Sequence, residues 1–418
     1  MFNFFHEIFM NTRKWITATL FSLLFVAILG FLLRYKIAFS LPFINQKYLQ
    51  FGHSHFAMTG WFTQLLIVLL ASSVSKTLGT PYLKKYTVFA LSNIITSYAM
   101  LAAFLYQGYG SISIIFSVIS MVVMVCFGVQ LWRDMNKSTQ PLPGFIWFRA
   151  AVIFSILASL GVVMLVYLKI TRNMDINIQQ ATTYFYLHFQ YNGWLVFACF
   201  GLLINMLSER NVKIRNIKPF FWCYSVACIP AYFLSVLWLP IPSWLYIIII
   251  ISAFIIAGGW IWFIVQINKQ SFLIFKHIPS TSKLLFGCSA LAYTIKVVLQ
   301  LGSTIPSLNN LAFGYRPIVI GYLHLVFLGV ITLFILGYLI YADYLKPTKW
   351  VNIGVLLFII GIILNELMLM MQGLMAMGYY NIPYINEILV GVTALMLLGI
   401  IGINMRYNND SFKATGRS

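Results

Sequence analysis

The sequence predicts an all-α integral membrane protein with twelve transmembrane helices and both termini cytoplasmic. Three observations carry this. Apolar residues make up 61% of the 418 and charged residues only 8%, too few charges to hydrate the surface of a soluble domain. The apolar residues gather into runs of about 20, which is the length that crosses the hydrocarbon core as a helix. Lysine and arginine are also unevenly spread. With the N-terminus inside, 20 of the 27 fall on the cytoplasmic side, six on the outer side and one, Lys296, within a span. That is the positive-inside pattern.

The runs lie at 15–33, 52–74, 86–108, 111–132, 146–168, 184–207, 219–238, 244–266, 284–302, 317–341, 351–374 and 385–405. Lipid gives the backbone no hydrogen-bond partners, so each run is expected to close its bonds within a helix. The first is too long for a removable signal peptide and lacks a small-residue cleavage site, so it reads as a retained helix. The seventh contains Pro230 and is followed by the turn Leu239-Pro-Ile-Pro-Ser243, a modest interruption. The ninth carries Lys296, the eleventh Glu366 and five methionines from Met368 to Met377, and the twelfth has Glu387 near its outer start. The methionines fit packing against lipid or neighbouring helices.

No connection is long enough to separate domains; the longest are 34–51, 133–145, 169–183, 208–218 and 267–283. The chain therefore reads as one polytopic transmembrane domain, 1–418. Residues 1–14 form an interfacial N-terminal segment with Phe2, Phe4, Phe5, Ile8 and Phe9, and 406–418 a cytoplasmic tail. No internal repeat emerges. The net charge of +19 is spread thinly over the inner segments and sets topology, leaving no call for a nucleic-acid partner. The five cysteines fall inside helices without metal-ligand spacing and read as buried small hydrophobes. The expected setting is a bacterial inner membrane, spanned many times, with lipid as the first partner and additional membrane subunits as further candidates.

Six histidines occur in the chain. His6 and His277 read as surface residues. The other four sit near the outer ends of three even-numbered spans: His53 and His55 in the second, His188 in the sixth and His324 in the tenth. An imidazole in hydrocarbon is costly unless it is paired or ligates something. Several at one depth suggest a shared ligand, and haem iron is the cofactor such helices most often hold. An interhelical hydrogen bond is the competing explanation for any single histidine. His53 and His55 are about 200° apart on a helix, so only one can face a given ligand; His55, the deeper, is preferred. Gly52, Gly60, Gly193, Gly314 and Gly321 flank these sites, leaving room for a macrocycle or for close helix contact.

On these residues the chain resembles the heme-copper oxidase superfamily, that is, its catalytic subunit I and the related nitric oxide reductases. The resemblance spans the twelve-helix count and is specific in three helices. It implies a subunit I-like bundle, with His55 (or His53) and His324 as axial ligands of one haem b. It also implies His188 at the helix-6 copper-ligand position and Tyr322 where a second haem histidine would stand. The departures matter. The seventh span reads Phe220-Phe-Trp-Cys-Tyr-Ser-Val-Ala-Cys228, without the adjacent copper histidines. Copper on His188 alone lacks the several ligands such sites need. No paired arginines precede the twelfth span, which leaves Arg34 and Arg316 (with Lys36 and Arg172) as substitute propionate contacts. Neither copper nor a second haem is therefore expected.

His188, Tyr191 and Tyr322 remain as catalytic candidates. Lys296, Glu366 and Glu387 are proton-path candidates, and Lys296 and Glu366 lie at matching depth and could pair. The leading expectation is a haem protein for electron transfer or for handling a diatomic gas (O2 or NO). A quinol or a cytochrome would be the donor, because no haem-attachment Cys-x-x-Cys-His motif occurs. Two alternatives stand beside it: an active quinol- or cytochrome-linked O2/NO reductase, and a proton-coupled transporter or channel without haem.

Overall fold

The computed structural model describes residues 12–79, 81–173 and 175–405. Most of the expected N-terminal segment, with His6, and the tail 406–418 lie outside the described residues. Within them the protein is all-helical, without a strand, and has twelve helices long and apolar enough to cross a membrane. We number these α1 (Thr12–Ala38), α2 (Gln46–Leu78), α3 (Pro81–Gln107), α4 (Ser111–Lys137), α5 (Phe145–Ile170), α6 (Ile176–Glu209), α7 (Ile217–Val236), α8 (Ser243–Lys269), α9 (Ser280–Gly302), α10 (Arg316–Tyr341), α11 (Lys349–Met377) and α12 (Ile385–Asn404). Short helices Ser271–Phe275 and Pro306–Gly314 follow α8 and α9. Every expected run is a helix, and the fold is that of a multi-pass membrane protein.

Several helices run a turn or more beyond the apolar window, and polar side chains cap the starts of α2 and α6. The Asn45 side chain accepts the N–H groups of Lys47 and Tyr48 at 3.0 and 3.2 Å, starting α2 six residues before the apolar run. The Asp175 carboxylate does the same for Asn177 and Ile178 at the start of α6. These side chains satisfy N–H groups that a first turn otherwise leaves without partners. His55 and His188 consequently stand well inside their helices. α7 behaves differently: Pro230 lacks an N–H, and the helix passes from α to 3-10 winding over Pro230–Val236.

The chain divides into two compact units: residues 1–137, 279–285 and 336–418, and residues 138–278 and 286–335. In the first, α11 and α12 pack backbone to backbone. A Cβ at Gly354 would stand 2.6 Å from the Gly399 carbonyl, and one at Gly399 2.7 Å from the Phe358 nitrogen. Small residues at such a contact let the helices approach closely. α12 also packs on α1, and α3 on both α2 and α4. In the second unit α5 packs on α6, and α7 on α8.

The burial of the helices sorts them. α2 and α6 are buried over 83% and 89% of their apolar windows and α10 over 56%, against 28–44% for the other nine. The three histidine helices are thus the interior ones. The others carry lipid-facing stripes, as in α4, where Ile112, Ile115, Ile119 and Val122 are exposed at helical spacing. Exposed apolar bands of this length are stable only against lipid.

The cysteines depart from expectation. Only Cys228 is buried; Cys199 and Cys288 are half-buried, and Cys126 and Cys223 are exposed. A thiol is apolar enough to face lipid, so a position inside a membrane helix does not require burial in protein.

Candidate functional site

Each histidine helix changes its winding directly after its histidine. α2 is π-helical over Ala57–Thr63, α6 over Phe189–Leu195 and α10 over Leu325–Thr332. A π turn accommodates an extra residue at a cost in hydrogen bonding, and such turns occur frequently at functional sites. Carbonyls here are taken by neighbouring helices: Asn93 Nδ2 donates to the Thr59 carbonyl at 3.0 Å, and Ser289 Oγ to that of Val330 at 2.7 Å. Asn93 also donates to Gln64 Oε1 at 2.7 Å.

A sequence signal for this arrangement exists, though the comparison of whole spans misses it. His55-x4-Gly60, His188-x4-Gly193 and His324-x4-Gly329 share one spacing, with Trp61 and Trp194 following the first two glycines. The glycines admit close neighbours. A Cβ at Gly193 would lie 3.3 Å from Cδ2 of the Phe154 ring, with other atoms of that side chain nearer still, and one at Gly329 would lie 3.1 Å from the Ala292 Cβ.

In the first unit, His53 and His55 leave α2 in different directions. The His55 ring stacks on Phe104 with centroids 4.4 Å apart, and its Nε2 lies 2.7 Å from the Tyr109 hydroxyl. His53 turns to α1. Its Cε1 lies 3.2 Å from where a Gly30 Cβ would be, and the ring faces the Val26 backbone. Its Nδ1 is buried without a hydrogen-bond partner.

In the second unit, His188 is buried and both ring nitrogens are engaged. Nε2 lies 2.9 Å from the Cys228 carbonyl, which can only accept, so Nε2 carries the proton. Nδ1 then accepts from Asn192 Nδ2 at 3.1 Å, one helical turn on. The α7 break makes this carbonyl available, because the Tyr232 N–H that would take it in an α-helix bonds Ile229 instead. Asn192 Oδ1 has no hydrogen-bond partner. Tyr191 interacts with Tyr322 on α10, with Ser235 on α7 and with Asn192, and its ring meets Phe327 in the π segment of α10. His188, Tyr191 and Tyr322 therefore belong to one polar cluster. It does not give His188 a bare nitrogen for a metal.

Each intramembrane charge has its own neighbours within its unit. Lys296 lies over the Tyr293 ring at 4.9 Å and within electrostatic reach of Cys228 and His188, all in the second unit. Glu366, in the first, accepts from Asn365 Nδ2 at 3.1 Å and feels the charge of Arg34. Glu387 is exposed in the first turn of α12, where a carboxylate complements the helix dipole. Arg316 is exposed at the start of α10. The buried carboxylate Asp134, which the sequence did not single out, ties α4 to α3 through Tyr86 at 2.9 Å and Lys85 at 3.4 Å, with Gln130 and Lys137 on its own helix.

Among the described residues no three His, Cys, Asp or Glu side chains are grouped to hold a metal ion. Fold and site define a polytopic all-helical membrane protein whose interior helices each carry a histidine followed by a π-helical segment. No family model matches the chain, and no curated protein matches it.

Proposed function

We propose that this protein is a membrane b-type haem protein that carries electrons or handles a diatomic gas, with His53 as one axial ligand of the haem and His324 as the second ligand that the resemblance to the heme-copper oxidases implies. The observation that carries the reading is the condition of His53. The ring lies against α1 beside Gly30, facing the Val26 backbone, and Nδ1 is buried without a partner. Histidines that bind metals are ordinarily fixed through one nitrogen on a carbonyl or carboxylate while the other binds. Leaving such a nitrogen unsatisfied costs about 1–3 kcal/mol, a cost that a bound ligand removes. His55 commits its Nε2 to Tyr109, so the preference between the two moves to His53.

Bound haem iron would supply one-electron redox chemistry. The chain would orient His53 from α1 and offer Arg34 and Arg316 as propionate contacts. The donor in this reading is a membrane quinol or a cytochrome, the setting is a bacterial inner membrane with both termini cytoplasmic, and the ancestry is subunit I-like. A copper-dependent O2 or NO reductase has less support, because His188 uses both ring nitrogens within the second unit.

The test is the absorption spectrum of protein purified from haem-replete cells. Sharp dithionite-reduced bands are expected, lost in His324→Ala and in His53→Ala and kept in His55→Ala. A colourless wild-type protein refutes the proposal; loss in His55→Ala with retention in His53→Ala reverses the ligand choice.

A further inference from the structure

We propose that the second unit holds a binding site for a small monovalent anion, of halide or nitrite size, at Lys296 between α7 and α9. Lys296 is 2% exposed. None of the described residues gives it a carboxylate partner or a hydrogen-bond acceptor. Its contacts are the Tyr293 ring face at 4.9 Å and the fields of the Cys228 thiol and the His188 imidazole. An ammonium carries three donors and no acceptor. Burying it without an anion or acceptors costs several kcal/mol, far more than one ring face returns.

The neighbours carry protons too. His188 donates from Nε2, but to the Cys228 carbonyl. Tyr224 and Tyr293 share a hydrogen bond, in which one hydroxyl proton is committed and the other is not. The surround is aromatic: Trp260 packs on Tyr293 with ring centroids 4.5 Å apart, and Phe200 packs on both Tyr224 and Tyr293. An apolar surround of this kind strengthens the attraction between the ammonium and an anion. It also sets the sign of the ligand. A metal cation beside Cys228 and His188 would face a fixed positive charge, whereas a monovalent anion neutralises it. A divalent anion would leave a net buried charge.

The inference stands apart from the haem reading and is tested without a haem signal. Full-length protein in nanodiscs is melted in sodium gluconate and then as chloride, bromide or nitrite replaces gluconate at constant ionic strength. The expected wild-type melting temperature rises by about 2–4 °C at a tenfold excess over the dissociation constant. Sulfate gives no such rise. Lys296→Met removes the response and melts above wild type in gluconate, because an unpaired buried charge has gone. Lys296→Gln, closer in length and polarity, also loses the response and serves if the methionine variant does not fold. A wild-type melting temperature flat in all three anions overturns the proposal. So does a response kept whole in Lys296→Met or Lys296→Gln, which assigns the effect to surface charges.

Discussion

His188 offers the sharpest separation of a structural from a metal-binding role, since both ring nitrogens are already engaged in a site 1% exposed. His188→Leu keeps the bulk and removes both bonds. It leaves two buried groups without partners: the Cys228 carbonyl, which has no helical donor because of the α7 break, and the Asn192 amide, whose oxygen is already unsatisfied. At about 1–3 kcal/mol for each orphaned group, the expected cost is about 2–6 kcal/mol. His188→Gln retains one N–H donor and one acceptor at similar reach and is expected to cost about 1–2 kcal/mol. Unfolding titrations in mixed micelles measure the difference, and metal per chain by elemental analysis is read alongside. The reasoning fails if leucine and glutamine cost the same. It also fails if wild type carries a stoichiometric second metal that His188→Gln loses while remaining folded.

Three further outcomes follow from the packing. Gly399→Ala puts a Cβ 2.7 Å from the Phe358 nitrogen and forces α11 from α12, costing about 1–3 kcal/mol; Gly354→Ala acts on the same contact, so a double-mutant cycle is expected to be sub-additive rather than additive. Gly30→Leu drives a side chain into the His53 ring, at 3.2 Å from a bare Cβ already, and is expected to lower haem per chain in the pyridine haemochrome assay without unfolding the protein. Asp134→Ala leaves the buried Tyr86 hydroxyl without its acceptor; a loss of about 1–3 kcal/mol is expected, with the exposed Lys85 and Lys137 pairs adding little and Asp134→Asn recovering part of it in the same titration.

The twelve spans were legible because lipid imposes one solution on a 20-residue apolar run, and that solution needs no knowledge of neighbours. Their ends were less so. The stretch Ile176–Tyr184 carries Gln179, Gln180, Thr182 and Thr183, which dilute the hydropathy, while the true start signal is a single capping residue, Asp175. The choice of histidine helices was legible from rarity alone. The direction of each ring was not, because an i, i+2 pair says only that the two diverge. Gly30 on α1 and Tyr109 between α3 and α4 decide which ring goes where, and both are remote in sequence. The surroundings of Lys296 were hidden for the same reason: depth along a helix is a one-dimensional quantity, and a side chain's neighbours depend on the angle as well.

The two units also differ in what their polar interiors still require. In the first, His53 has a nitrogen that the surrounding helices do not satisfy, and a glycine stands where a side chain would fill the space beside the ring. In the second, both ring nitrogens of His188 are engaged, while the Lys296 ammonium and Asn192 Oδ1 lack hydrogen-bond partners. An imidazole nitrogen accepts a metal and an ammonium repels one. The opposite requirements of His53 and Lys296 therefore argue against a pair of like metal centres. At Lys296 the missing partner is negative, and the side chains around it carry protons of their own.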